Sequence, residues 1–292
     1  MSEDNSSVAI IMRSYNDADV IRQTLQRVSE QRFRDFTLWN FDSSSTDGTL
    51  DIIREFNEPE RICLNRSTTY NPARILNEAV AASEGQIIVF LNSDATPHDD
   101  RWLERLIQPF TDPTVGAVFG RQTARADCRS LFLKDTERAF GDGRVSKNWL
   151  HFFSMANSAV RRDLATQFPF DTCIQYSEDI EWSYRLRRLG KRIVYVADAQ
   201  ATHSHNYTLG QSYRRHFGEG MADAWIYRRG EIGGGFMRCF LAPFGMEVLR
   251  DMQWAFSRKS LDALMHSVPL RLTQKWSRWR GWKTGRKAYD LG

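Results

Sequence analysis

Several features are scarce in this 292-residue chain, and each scarcity excludes something. Its four cysteines (Cys63, Cys128, Cys173 and Cys239) stand far apart and form no Cys-x-x-Cys pair. That excludes the usual cysteine zinc spacings and points to unpaired thiols in a reducing compartment. No uncharged apolar run reaches about 18 residues, so no transmembrane helix is expected. The segment Met1–Ser7 is polar and carries Glu3 and Asp4, and it reads as neither a signal nor a transit peptide. After the first apolar run comes Arg13-Ser14-Tyr15-Asn16, with no G-x-G-x-x-G, which removes the dinucleotide fingerprint. The glycine cluster Gly233-Gly234-Gly235 follows no strand pattern.

What is present is globular: 41% hydrophobic, 26% charged and 12% aromatic residues, enough for a sizeable core without covalent staples. The net charge of +4 is unevenly placed. Arg271, Lys275, Arg278, Arg280, Lys283, Arg286 and Lys287 face one acid, Asp290, in the last 22 residues, which leaves the rest of the chain near −2. A basic tail on a near-neutral body points to an anionic surface.

The first 120 residues alternate strand and helix signals. Val8–Met12 (VAIIM) is a run suited to a strand buried on both faces. Strands are also expected at Phe36–Phe41, Arg61–Leu64, Gln86–Leu91 and Val115–Phe119. Helices fall between them, one behind Asp17 and one behind Asn71-Pro72, stopped by Gly85. His98–Phe110 is amphipathic. This alternation predicts an α/β fold with a doubly wound, mostly parallel sheet, whose ligands sit beyond the carboxyl ends of the strands. The loops to inspect are therefore Arg13–Asp17, Asp42–Asp47 and Asn92–Pro97. Further on, Asp127–Gly143 reads as a polar loop, Phe152–Val160 and Arg192–Ala197 as strands, and Asp179–Leu189 as a helix. From about residue 209, helix signals dominate (Leu209–Tyr227, Met237–Phe256, Leu261 onward). The expected division is a catalytic domain of 1–206 and a basic helical region of 207–292.

Asn92-Ser93-Asp94 ends a buried strand, where one carboxylate suits a hard divalent cation carrying water and phosphate oxygens, or else simply caps a turn. Ser177-Glu178-Asp179 precedes a helix; these acids are N-terminal caps or a general base. His203-Ser204-His205 offers imidazoles on alternate residues of an extended segment, as metal ligands or as ordinary loop histidines. Asp42–Thr49 (DSSSTDGT) is dense in hydroxyls and acids, as a nucleotide cradle or a polar turn would be. In the tail, Leu272, Trp276, Trp279 and Trp282 form a stripe flanked by Lys275, Arg278 and Lys283. Such a stripe either rests in a membrane interface or packs on protein.

Taken together, VAIIMRSYN (Val8–Asn16), DSSSTDGT, NPARILNE (Asn71–Glu78), VFLNSDATP (Val89–Pro97), YSEDIEW (Tyr176–Trp182) and ATHSHNY (Ala201–Tyr207) resemble an inverting family 2 glycosyltransferase of the GT-A fold. The resemblance spans about residues 8–207. Within that family it is most similar to bacterial rhamnosyltransferases of polysaccharide and O-antigen assembly. It implies that Asp42 binds the nucleotide base, that Arg13, Ser14 and Tyr15 line the base and ribose pocket with Asn92 and Ser93 at the donor, and that Arg74 contacts the nucleotide. It implies a divalent cation, Mg2+ or Mn2+, on Asp94 with His203 or His205. Asp179 matches the catalytic base with Glu178 beside it, and Trp182 is placed to stack on the acceptor sugar. Two positions depart from the pattern: Asn92 stands for the first aspartate of the DXD motif, and Ser43 for the acid after Asp42.

The implied partners are a nucleotide-sugar donor, thymidine diphosphate–rhamnose first and a uridine diphosphate sugar second, and a saccharide or lipid-linked acceptor. Peripheral membrane contact through residues 261–288 and self-association are left open, with a cytoplasmic location. A nucleic-acid-binding protein would use the basic tail but would leave residues 8–207 unexplained, so no nucleic-acid partner is expected. A catalytically silent nucleotide-sugar-binding scaffold is the alternative that Asn92 and Ser43 suggest.

Overall fold

The structure is a computed structural model, and it describes residues 7–65, 70–143, 152–228 and 235–289. The first residues of the acidic N-terminal segment, Gly233-Gly234 and the end of the 121–148 region lie outside the described residues. By contact the chain divides into two units. The first is Met1–Arg125, Arg138–Thr172 and Asp179–His203; the second is Ala126–Glu137, Cys173–Glu178 and Ser204–Gly292.

The first unit is built on a mixed eight-stranded sheet. In chain order its strands are β1 (Val8–Ser14), β2 (Phe36–Asp42), β3 (Ile62–Leu64), β4 (Ile87–Asn92), β5 (Thr96–Pro97), β6 (Val115–Thr123), β7 (Asn157–Arg161) and β8 (Arg192–Thr202). Their spatial order is β3-β2-β1-β4-β7-β6-β8-β5. Pairing is parallel through β3-β2-β1-β4 and again for β6-β8. It is antiparallel where β7 is inserted between β4 and β6, and where β5 meets β8. Its helices are α1 (Ala18–Ser29), α2 (Thr49–Phe56), α3 (Pro72–Ala82), α4 (Trp102–Ile107), α6 (Arg162–Gln167) and α7 (Glu178–Arg188), while α5 (Ser130–Phe140) falls mostly in the second unit.

Alternation along the strands divides the core between two faces. Val8, Ile10, Met12, Val89 and Leu91 pack with Ile21 and Leu25 of α1, Ile53 of α2 and Trp102 of α4. Ile11, Ile88, Phe90 and Phe119 pack instead with Ala73, Leu76 and Val80 of α3, Leu164 of α6 and Trp182 of α7. Asn71 caps α3 as expected, its side chain accepting from the Arg74 N–H, with Pro72 at the first helical position. Gly85 takes the left-handed conformation that ends this segment.

Three expectations are corrected. Asp127–Gly143 is not a loop: it contains α5, whose polar residues are used internally, as described below. The predicted strand at Phe152 begins only at Asn157, because Phe152 and Phe153 point their rings into edge contacts with Phe119. The amphipathic run to Phe110 tightens into a 3-10 turn at Gln108–Thr111, where Pro109 removes a helical donor.

The second unit carries α8 (Leu209–Ile226), α9 (Ala242–Arg258), entered through a π turn at Met237–Leu241, and α10 (Leu261–Ala288). A capping box from Thr208 and Gln211 starts α8. Helices α8 and α10 approach backbone to backbone: a Cβ on Gly220 would overlap the Arg278 carbonyl, and one on Gly281 the Phe217 carbonyl. Gly281, which is about 1 kcal/mol worse than alanine within a helix, is therefore required by the crossing.

Candidate active site

Register brings the three inspected loops to one edge of the sheet. Ser14 pairs with Asp42 across β1-β2, and Arg13 with Asn92 across β1-β4, so the carboxyl ends of β1, β2 and β4 lie side by side. Two of these loops turn through non-glycine residues of positive φ, Asn16 (53°) and Ser44 (63°), and the turn before α7 does so at Ser177 (61°). Side chains held in that sparsely occupied region cluster at functional loops.

Asp42 is fully buried. One oxygen accepts from the Ser45 N–H (2.7 Å), the other from the Ser14 hydroxyl (2.7 Å) and the Ser45 hydroxyl (2.6 Å). This carboxylate holds the 42–49 loop, with Ser14 as its partner across the two strands. Tyr15, 61% exposed, is the open aromatic beside it. The Asn92 side-chain oxygen lies 3.5 Å from the Arg13 guanidinium. Ser93 is buried, and its hydroxyl donates to Asp17 at 2.5 Å. Arg74 sits on α3 with its guanidinium 3.9 Å from Glu78.

Asp17, expected only as a helix cap, is the site residue that periodicity missed. Its side chain makes no cap hydrogen bond to α1. It accepts instead from the Tyr15 N–H and from Ser93, so it ties the β1 loop to the β4 loop. Burial, followed by the nearby charges of Asp94 and Asp47, pushes its carboxyl above the usual range despite those hydrogen bonds.

Asp94 meets His203, with Oδ1 3.5 Å from Nε2. The imidazole is oriented from behind. The Gln122 amide donates to Ser154 at 2.8 Å, which turns its oxygen toward His203 Nδ1, also at 2.8 Å. That oxygen can only accept, so Nδ1 carries a proton and Nε2 is the ring nitrogen turned toward the Asp94 carboxylate. In the neutral ring, Nε2 and the carboxylate are two electron-pair donors turned toward each other, with an amide carbonyl behind the ring, which is the arrangement a divalent cation selects. Arg125 reaches the same aspartate, donating to its backbone carbonyl at 2.8 Å with the guanidinium 3.8 Å from Oδ2. Neither Gln122 nor Arg125 carried a motif signal, because each is recruited by the path of β6.

His205 belongs to the second unit, where its ring stacks on Tyr207 with centroids 5.1 Å apart. Glu178 and Asp179 open α7, and one Asp179 oxygen accepts from the Ile180 N–H. The acceptor role of Trp182 is corrected. The ring is 1% exposed, sits among Phe153 and Phe170, and donates its indole N–H to the Phe168 carbonyl, so no face is left for a sugar. A second acidic group, Asp135, Glu247 and Asp251, has ligand spacing but is occupied by the cations of Lys134 and Arg271.

A sheet of this order with its polar loops at one strand-end edge is the fold of the GT-A glycosyltransferases. It superposes on the mannosyltransferase PcManGT of Pyrobaculum calidifontis, solved with GDP-Man and Mn2+, with a TM-score of 0.66 at 20% identity, covering 97% of this chain and 87% of that one. For Staphylococcus aureus TarS 1–349 with UDP-GlcNAc the TM-score is 0.53 at 17% identity, over 98% and 92%. Residues 9–173 match the family Glycosyl transferase family 2, and the chain belongs to that family. It is similar to the O-antigen chain rhamnosyltransferase WbaN of Salmonella anatum, 30% identical over 80% of this chain and 78% of that protein. It is also similar to the O-antigen chain rhamnosyltransferase RfbN of Salmonella typhimurium, 25% identical over 92% and 90%.

Proposed function

We propose that this glycosyltransferase moves rhamnose, with inversion, from thymidine diphosphate–rhamnose to a hydroxyl of a saccharide or lipid-linked saccharide; a uridine diphosphate sugar is the second choice of donor. The observation that carries the reading is the Asp94–His203 pair with its tautomer fixed by Gln122. The sugar rests on the similarity to the two rhamnosyltransferases.

The donor atoms of Asp94 and His203 fit Mg2+ or Mn2+, and His203 is proposed over His205 because its Nε2 faces the carboxylate. When bound, the cation supplies charge neutralisation to the leaving diphosphate. Arg125 adds a fixed positive charge on the same side. Tyr15 offers its exposed ring to the base, with Arg13, Asn92 and Arg74 along the donor. Asp42, Ser14, Ser93 and Asp17 hold the loops that shape this pocket. Asp179 takes the proton from the acceptor hydroxyl as it attacks the anomeric carbon, and Glu178 orients the acceptor. Direct displacement with one base inverts the configuration. Catalysis is assigned to residues 1–206, on the cytoplasmic side of the membrane.

The test is product stereochemistry. Rhamnose transferred from the nucleotide to a synthetic saccharide acceptor, followed by NMR, is expected to show the anomeric configuration opposite to the donor's. Retained configuration would overturn the single-displacement reading.

A further inference from the structure

Helices α9 and α10 are built inside out. Apart from Leu270, the buried face of α10 is small, polar or charged: Ser267, Arg271, Gln274 and Ser277, with Ala263, Gly281 and Gly285. Its outward stripe is apolar, Leu261, Met265, Val268, Leu272 and Trp276, all exposed and spaced three or four residues apart. Helix α9 repeats the inversion, with Glu247, Asp251 and Ala255 inside and Leu249, Met252 and Phe256 outside. The two stripes approach at the Lys259-Ser260 turn, where Phe256 is 71% and Leu261 68% exposed. A helix in water gains nothing by burying acids and arginine while exposing leucine and phenylalanine, so the outward face is shaped for a non-aqueous neighbour.

Charge selects the neighbour. Exposed Arg258 and Lys259 lie at the turn end of the stripe, and exposed Arg280, Lys283 and Lys287 at the other end of α10; Asp262 is the exposed acid between them. A second copy of the chain would set like charges against each other across a two-fold axis. An anionic lipid surface pairs with the cations while its acyl layer takes the apolar stripe. No helix among the described residues is long and apolar enough to cross a membrane, so the contact lies in the plane of the interface. The stripe also relocates the expected one. Trp279 and Trp282 are only half exposed: Trp279 packs edge-on against Phe236 and carries Lys283 over its ring, and Arg286 covers Trp282.

We infer that the outward faces of α9 and α10 form a docking surface for an anionic bilayer, holding the protein on the membrane without spanning it. This goes beyond the transfer reaction and is tested without donor or acceptor. Full-length protein is floated with vesicles of equal parts phosphatidylglycerol and phosphatidylcholine, and with phosphatidylcholine alone. The expected result is binding to the anionic vesicles that weakens with added salt. Leu249→Gln/Phe256→Gln/Met265→Gln should weaken it by about tenfold or more without lowering the melting temperature, since these side chains are already in water. Arg258→Glu/Lys259→Glu should weaken binding to the anionic vesicles alone. Protein that stays unbound to the anionic vesicles would overturn the inference. So would a triple variant that floats like the parent, or a stable dimer that the triple variant dissolves.

Discussion

The sheet unit and the α9–α10 pair obey opposite rules. In the sheet unit, apolar residues turn inward and polar ones gather at the strand ends, so stability comes from packing on two faces of β1 and β4. In α9 and α10 the interior is ionic. Arg271 pairs with Asp251 (2.8 Å) and Asp135 (2.7 Å), Lys134 with Asp251 (2.5 Å), and the Ser267 hydroxyl donates to Asp251. Burial pushes the Asp251 carboxyl up, but hydrogen bonds and charge from Arg271 and Lys134 outweigh it and hold the group below the usual range. The contrast teaches that one region is organised to place a reaction and the other to present a surface. Their responses to mutation should differ accordingly.

The largest effect is expected at chemistry. Asp179→Asn should lower transfer by about 10²–10⁴-fold while donor binding, measured by calorimetry, stays within twofold or so. Near-normal turnover would remove Asp179 as the base. Next, Trp182→Ala should cost about 3–5 kcal/mol in denaturant unfolding, the cavity left by an aromatic ring packed between Phe153 and Phe170. A core-type loss is what an acceptor-stacking tryptophan would not show.

Comparable in size but different in cause, Arg271→Met should cost about 3–5 kcal/mol by leaving the single ammonium of Lys134 between Asp251 and Asp135, and Arg271→Met/Asp251→Leu should recover part of it. An apolar interior would show no such recovery. Because Asp251 has a folded pKa below its unfolded one, its contribution is present above the ordinary carboxylate range. It is lost as pH falls through the folded value. The single variant should therefore flatten the acid limb of the stability profile.

Smallest is Lys275. Burial, then the charges of Arg278 and Arg271, push its ammonium down to about 8. A lysine with a depressed folded pKa destabilises fully below that value, and the penalty fades as pH rises toward the unfolded lysine pKa. Lys275→Met should raise the melting temperature by roughly 2–4 °C at pH 7 and by less at pH 10. An equal rise at both would deny the ionic character of this interior.

Much of the sheet unit was legible because its signals are local. The VAIIM run, the Asn71-Pro72 cap and Gly85 each act within a few residues of chain. The insertion of β7 antiparallel between β4 and β6 was not, since strand direction leaves no mark in composition. Helix α5 was read as a loop because Lys134 and Asp135, polar on the page, point into the ionic interior of α9 and α10. At the site, Asp94 and His203 stood out as strand-end chemistry. Gln122 comes from a strand of ordinary pattern and Arg125 from the segment just beyond it, and both gain meaning only from where register carries them. Trp182 misled for the opposite reason: its place beside Asp179 in the motif hid the helical turn that carries it into the core.

The most direct test is a thermal shift screen of nucleotide sugars with and without Mn2+ or Mg2+, on the full chain and on Asp94→Ala. Ligands that bind the native state raise its melting temperature by mass action. The expected result is a rise with thymidine diphosphate–rhamnose that needs the cation and disappears in Asp94→Ala. A rise of the same size in the variant, or one indifferent to the cation, would contradict an Asp94–His203 metal site at the donor.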